Sequence, residues 1–282
     1  MSTTNDVAKT LKSLHVSHQP LVLANVWDIA SLNTILSINT DNSKPVRAIA
    51  TASWAFAAVL GIKDEDLTME QNLSAIQCLA PIVSRAGLPL SVDLQDGYGS
   101  RIQEAVMQAV QVGEHGANLE DSIPSQGLGN GIEGSLYSLS QQAQRIRLAC
   151  QAASDAGCPD FVINARCDIF ALGDVPGLDI NTRMQEAVKR GKAYLEAGAT
   201  TVFYWRGYGA GLTEDEVRKL VDDLGGRVAI RLGQTKHALS VAELGKIGVA
   251  RISVGPSLFQ IAMHAAKQSA IDLLQGGHLQ EV

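Results

Sequence analysis

Residues 89–100 read PLSVDLQDGYGS. The segment Leu88–Gln95 is apolar enough for a buried strand, and Gly97-Tyr98-Gly99 reads as a turn. At the junction stand Asp93, Gln95 and Asp96. In parallel α/β folds, ligands bind beyond the carboxyl ends of the strands. A strand that stops at acids and then turns is therefore the reactive half of a strand–helix unit.

The same half-unit recurs along the chain. Strand-like runs occupy Leu21–Val26, Ala48–Ser53, Leu88–Gln95, Ala117–Ser122, Phe161–Asp168, Thr200–Trp205, Arg227–Leu232 and Ala250–Gly255. Each precedes a segment of helical period, at about 28–38, 69–86, 101–113, 138–156, 181–197, 213–223, 239–246 and 256–273. The strands show little polar alternation, as expected of parallel strands buried on both faces. Gly116-Ala117, Gly198-Ala199 and Gly248-Val249 read as left-handed helix ends just before the next strand. Eight such units predict a (β/α)8 TIM-type barrel; a doubly wound open sheet, built from the same units, is the alternative. No linker or repeat divides residues 1–282, so a single domain is expected, with 1–20 as a leading helix or arm and 274–282 as a mobile tail.

Composition narrows the function. Hydrophobic residues make up 46% and charged residues 18% of the 282, and the net charge is −6 with no basic run. Nucleic acid and anionic membrane are therefore poor partners. No apolar run is long enough to span a bilayer, and Met1–Leu14 carries no signal-peptide core. The cysteines, Cys78, Cys150, Cys158 and Cys167, form no CxxC, and no His spacing suggests zinc. A cytoplasmic protein with reduced thiols is expected.

The polar residues fall at the strand ends: Asn25, Trp27 and Asp28; Ser53 and Trp54, with Asp64 beyond; Asp93, Gln95 and Asp96; Glu120, Asp121 and Ser122; Asn164, Arg166 and Asp168; Trp205 and Arg206; Arg231. Ionised carboxylates crowded in a low-dielectric site repel unless a cation joins them. Oxygen-only donors favour a hard ion, Mg2+ or else Mn2+. A lone acid at a strand end more often caps a helix or pairs with Arg, and Asp28 and Ser100 are candidate caps. Acids on two consecutive strands with Arg166 on the next shift the balance toward a metal or anion site.

Other signals lose. Gly129–Gly134 matches G-x-G-x-x-G but does not join a strand directly to a helix. The glycine-rich stretch 125–138 reads as a lid or as a passive loop. No strand carries a Lys for a Schiff base, and there is no G-x-S-x-G. His115 and His237 read as structural or solvated, Cys167 as core, and Cys78, Cys150 and Cys158 as packed residues on or beside helices.

Asp93–Gly99, Asn118-Leu119-Glu120-Asp121-Ser122 and Ile163-Asn164-Ala165-Arg166-Cys167-Asp168 resemble the signature segments of the isocitrate lyase/phosphoenolpyruvate mutase superfamily. Leu60–Asp64 resembles its acid-bearing loop after the second strand, and Val249–Pro256 the last strand of its smaller members; the likeness spans about residues 20–265. The resemblance implies an α/β barrel that forms a homo-oligomer, usually a tetramer of dimers that swap the last helix. It implies Mg2+ bound directly by Asp93, with Asp64, Glu120 and Gln95 holding its waters and Asp96 as a further candidate ligand. Arg166 would bind the substrate carboxylate or enolate, with Ser53 and Trp54 cradling the same end. Gly97, Tyr98, Asn164, Trp205, Arg206 and Arg231 are the remaining candidate substrate contacts, and Arg206 and Arg231 could equally pair with surface acids.

Two departures bear on activity. Gln95 stands where family members usually carry an acid. The lid Ser125–Tyr137 has none of the Lys-Lys-Cys-Gly-His of isocitrate and methylisocitrate lyases, and Trp205-Arg206 replaces a His of the mutase. The expected function is a Mg2+-dependent carbon–carbon lyase or decarboxylase, acting on a small 2-keto or 2-hydroxy dicarboxylic acid through a metal-stabilised pyruvate enolate. The acid is oxaloacetate-like or methylisocitrate/alkylmalate-like. A retro-aldol step would need Glu120, Asp64 or Asp168 as base. The alternatives are phosphonopyruvate hydrolase or mutase chemistry, and a catalytically weak metabolite-binding barrel.

Overall fold

The computed structural model describes residues 3–207, 209 and 211–279. In chain order its strands are β1 (Leu21–Leu23), β2 (Asn25–Val26), β3 (Ile49–Thr51), β4 (Leu90–Asp93), β5 (Gly116–Glu120), β6 (Val162–Cys167), β7 (Thr201–Tyr204), β8 (Val228–Arg231) and β9 (Arg251–Ser253). Its helices are α1 (Thr4–Ser13), α2 (Ile29–Leu36), α3 (Ser53–Leu60), α4 (Met69–Arg85), α5 (Ile102–Gln111), α6 (Gly131–Ser135), α7 (Leu139–Asp155), α8 (Ile180–Glu196), α9 (Glu214–Asp223), α10 (Val241–Ile247) and α11 (Ser257–Leu274).

All strand pairs are parallel, in the order β1-β9-β8-β7-β6-β5-β4-β3-β2. β1 and β2 are halves of the one predicted first strand, parted at Ala24, so the two edges of the sheet meet within the chain itself. The result is a TIM-type barrel with helices outside, and the open-sheet alternative is excluded. Asn25 stitches the seam. Its Nδ2 donates to the Thr51 carbonyl at 2.6 Å, and its Oδ1 accepts from the Val254 and Gly255 N–H groups at 3.3 and 3.1 Å.

Capping explains where the helices begin. Thr68 with Gln71, Ser138 with Gln141, Thr213 with Glu216 and Ser240 with Glu243 form reciprocal capping boxes at α4, α7, α9 and α10. Each cap contributes about 1 kcal/mol. Strands β5, β7 and β8 are buried along their whole length, which accounts for their unbroken apolar reading.

Some local expectations need correction. Gly248 and Gly198 do take positive φ, but Gly116 does not; Gly113 ends α5 instead. Gly116 lies in β5, where a Cβ would meet the Val162 carbonyl at 2.7 Å, so close packing and not a left-handed turn accounts for the glycine. Ser100 caps nothing, since α5 follows Arg101 without a side-chain cap, whereas Asp28 does cap α2. Cys78 is exposed rather than packed. The first residues form α1 as a leading helix, while Met1, Ser2 and residues 280–282 of the expected tail lie outside the described residues. Among the described residues no helix is long and apolar enough to cross a membrane.

Candidate active site

Side chains alternate along each strand, so every second residue points into the barrel. The uppermost inward layer at the carboxyl ends holds Asp93 (β4), Glu120 (β5), Arg166 (β6), Phe203 (β7), Arg231 (β8) and Ser253 (β9). Two residues lower on the same strands stand Ser91, Asn118, Asn164, Thr201 and Arg251. Above them lies a cavity of about 110 Å3, whose lining includes Asp64, Asp93, Arg166, Trp205 and Arg231.

Arg166 organises the rim. Its Nε and Nη2 donate to the Asp168 carboxylate at 2.8 and 3.0 Å, and Nη2 also pairs with Glu120. The Trp205 indole N–H donates to the same Asp168, and the Arg166 guanidinium lies 5.4 Å from the Trp205 ring centroid. Asp168 is fully buried and absent from the cavity lining. It therefore orients Arg166 from behind instead of facing a ligand. Burial alone would lower the Arg166 pKa, but the charges of Asp168, Glu120 and Asp93 raise it above the ordinary value.

The acids opposite form a second group. Asp93 accepts from the Ser53 hydroxyl at 3.2 Å and from the Ser53 backbone N–H at 3.3 Å. Ser53 opens α3, and its cap residue Ala52 supplies no capping side chain. The Ser53 N–H at the first turn of α3 consequently faces Asp93. Gln95 folds back in a left-handed conformation, φ 52°, and its Nε2 donates to the Asp64 carbonyl and carboxylate at 2.6 and 3.0 Å. Burial, then the Asp93 charge, raises the Asp64 carboxyl above its usual range. Burial does the same more strongly to Glu120, reinforced by Asp168, Asp93 and Asp64 against the pull of Arg166.

Burial first, and then neighbouring carboxylates, disfavour the charged form of these acids, which a cation between them would relieve, and the donors are all oxygen. Among the described residues no three of His, Cys, Asp and Glu form a cage able to hold an ion unaided. That still suits Mg2+, which keeps several waters and takes one or two carboxylates. The residues present fit such an ion.

Several sequence candidates lie elsewhere. Asp96 accepts from the Tyr98 and Gly99 N–H groups at 2.9 and 3.1 Å and from the Tyr137 hydroxyl at 2.7 Å. It also pairs with Arg145 at 3.6 Å and does not line the cavity. The turn that follows β4 needs it, so it leaves the metal set. Gly97 and Tyr98 build that turn, with φ of 82° and 60°; the Tyr98 hydroxyl accepts from Asn72. Neither reaches the cavity. Asn164 lies one layer below the rim, bonded to Asn118 and Thr201. Arg206 pairs with Glu216 at 2.5 Å and lies 5.5 Å from the Phe170 ring, away from the cavity. Asp121 points outward into a buried network with Arg190 at 3.0 Å and the Tyr194 hydroxyl at 2.6 Å. The stretch 125–137 is folded, with α6 inside it, and contributes nothing to the cavity lining. Sequence reasoning missed Asn118, Phe203 and Ser253 as lining residues; their inward phase on strands already marked was the available signal.

The family model for phosphoenolpyruvate phosphomutase matches residues 11–274. The chain belongs to the isocitrate lyase/PEP mutase superfamily. Escherichia coli 2-methylisocitrate lyase is 34% identical over 151 residues, 52% of this chain and 46% of that protein, so the match spans about half the length of that relative. Mycobacterium tuberculosis Rv1998c, uncharacterised, is 27% identical over 267 residues, 94% of this chain and 89% of its own. A solved phosphonomutase-like structure from Burkholderia cenocepacia J2315 is 32% identical, with a TM-score of 0.79 and coverage of 97% of this chain and 100% of its own. Further superfamily relatives at 26 to 27% identity are named 2,3-dimethylmalate lyase (Eubacterium barkeri), phosphonopyruvate hydrolase (Variovorax) and oxaloacetate decarboxylase (Rhodopseudomonas palustris).

Proposed function

We propose that this superfamily member is a divalent-metal-dependent carbon–carbon lyase or decarboxylase for a small 2-keto or 2-hydroxy dicarboxylic acid. The observation that carries the reading is Arg166, held by Glu120 and Asp168 on the rim of the small cavity that Asp93 and Asp64 also line. Asp93 would hold Mg2+ or Mn2+, with Asp64, Gln95 and Glu120 around it. A bound ion supplies positive charge that polarises the substrate's keto group.

The chain's own groups do the rest. Arg166 binds the substrate carboxylate and steadies negative charge as it develops on the enolate, a form of oxyanion stabilisation. Asp168 and Trp205 keep the guanidinium from turning away. Ser53 and Trp54 present the start of α3 to the same end. Arg231, 5.4 Å from the Trp205 ring on the other flank, is placed for a second carboxylate. Decarboxylation then needs no protein base, and water can protonate the enolate. Retro-aldol cleavage needs one, and Asp64, which lines the cavity, is placed to take the proton.

The test offers oxaloacetate, 2-methylisocitrate, 2,3-dimethylmalate and phosphonopyruvate with Mg2+, then with a chelator, while following pyruvate and phosphate. Chelator-sensitive pyruvate without phosphate is expected, and Asp93→Ala should lower turnover at least about 1000-fold. Phosphate release would point to the phosphorus–carbon chemistry of the Variovorax relative. Silence on all four substrates, with ligand binding retained, would mark a metabolite-binding barrel.

A further inference from the structure

Beneath the rim lies a cation that the proposed chemistry does not use. Arg251 is completely buried inside the barrel. Its Nη2 donates to the Asn118 Oδ1 at 3.0 Å and the Ser91 hydroxyl at 3.2 Å, and its Nε to the Ser253 hydroxyl at 3.4 Å. Its hydrogen-bond partners among the described residues are all neutral. Such burial is costly without a carboxylate, and it lowers the Arg251 pKa to about 9 against the upward pull of Asp93.

The guanidinium fixes one thing by chemistry alone. It has only donors, so the atom of Asn118 that meets it must be the amide oxygen. The Asn164 Nδ2 donates to the same oxygen at 2.8 Å, and the Asn164 Oδ1 is itself held by the Thr201 hydroxyl at 2.6 Å. Both sides of the Asn118 oxygen are thus occupied from the lower layer. The other end of the amide is its N–H2, which has no protein acceptor among the described residues. Asn118 lines the cavity, so that donor pair belongs to whatever the cavity holds.

We propose that Asn118 binds the substrate, donating from its amide nitrogen to an oxygen of the bound acid, and that Arg251 is the positioning residue that fixes the amide that way round. The proposal rests on the reading of this cavity as a site for a small carboxylic acid. It gives the inner layer a purpose: Thr201, Asn164 and Arg251 form a polar scaffold that presents one donor upward. An apolar layer would pack as well and present none.

The probe is oxalate, a planar two-carbon dicarboxylate, titrated calorimetrically into protein saturated with Mg2+. Asn118→Asp keeps oxygen acceptors for Arg251 and Asn164 but puts a carboxylate oxygen where the donor was. We expect oxalate affinity to fall at least about 100-fold with no loss of melting temperature, since the new acid gains a buried guanidinium partner. Asn118→Ala should lose about 10-fold, and Arg251→Lys, which keeps the charge but gathers its donors on one nitrogen and loses the planar fork, about 5-fold or more. A purely structural role predicts lower melting temperatures and unchanged oxalate affinity. Binding within about twofold of wild type in both Asn118 variants overturns the proposal and leaves the functional reading standing. If wild type binds no oxalate at saturating Mg2+, both fall. Should the Asp variant unfold, Asn118→Ser carries the same expectation as the Ala variant.

Discussion

Gln95 and Asp121 sit close together in fold and far apart in role. Gln95 donates to Asp64, quieting a carboxylate that burial and Asp93 already press. Gln95→Asp removes that donor and adds a charge. The metal-free protein should melt lower and the rise in melting temperature on adding Mg2+ should grow, both read by a thermal scan with and without the ion. Unchanged Mg2+ stabilisation would place residue 95 away from the ion. Asp121, two residues past Asn118's neighbour in the same signature, is a structural anchor: Arg190 and Tyr194 of α8 and the Asp168 N–H all converge on it. Asp121→Ala removes the nearer of the two carboxylates paired with the buried Arg190, leaving Glu186 at 3.7 Å, and should cost about 3 kcal/mol in urea unfolding. The acids were legible in the sequence as a set. Which way each turns was not, because Asp96, Asp121 and Asp168 take their orientation from Tyr137, Arg190 and Trp205, which lie far along the chain.

At the scale of elements, the strands and most helices were readable because burial on both faces and the capping boxes leave local marks. α3 was not. Ala48–Leu60 runs on as apolar residues, and Ala52 gives no capping signal where strand becomes helix. The functional cost of that omission is large, since α3 aims its first turn at Asp93. α11 raises a different point. Of its residues only Ser257 is buried, while Ile261, Met263, Leu273 and Leu274 are exposed. Phe259 packs edge-on to Trp27 and Trp54 at 5.3 and 5.9 Å. An apolar helix left uncovered in this way asks for a partner. Light scattering should give a mass at least double the 29.9 kDa of one chain, and Ile261→Asp should shift the population toward monomer. A wild-type monomer at micromolar concentration would refute the oligomer expected from the swapped last helix.

For the molecule as a whole, charge at the end opposite the cavity sets part of the pH response. Glu114, between α5 and β5, is fully buried, and neither carboxylate oxygen has a hydrogen-bond partner. Burial raises its pKa well above the ordinary value. Above about pH 4.3 the unfolded chain has lost this proton while the folded chain keeps it, so stability falls as pH rises toward the folded pKa. Glu114→Gln removes that slope. Its advantage over wild type should be least near pH 4 and grow by about 1.4 kcal/mol per pH unit until the folded carboxyl begins to ionise, measured by urea unfolding across pH 4–8. A gap independent of pH would mean the carboxyl is ionised in the folded protein.

The parted first stave has a consequence for biosynthesis. β1 pairs with β9, and β9 ends at Ser253, so the ring cannot zip shut until residues 251–253 have left the ribosome. Until then the partial sheet carries two raw margins able to pair with a neighbouring nascent chain. Release truncated before Arg251 should therefore yield aggregates, because the gate that seals the cylinder has not yet been delivered.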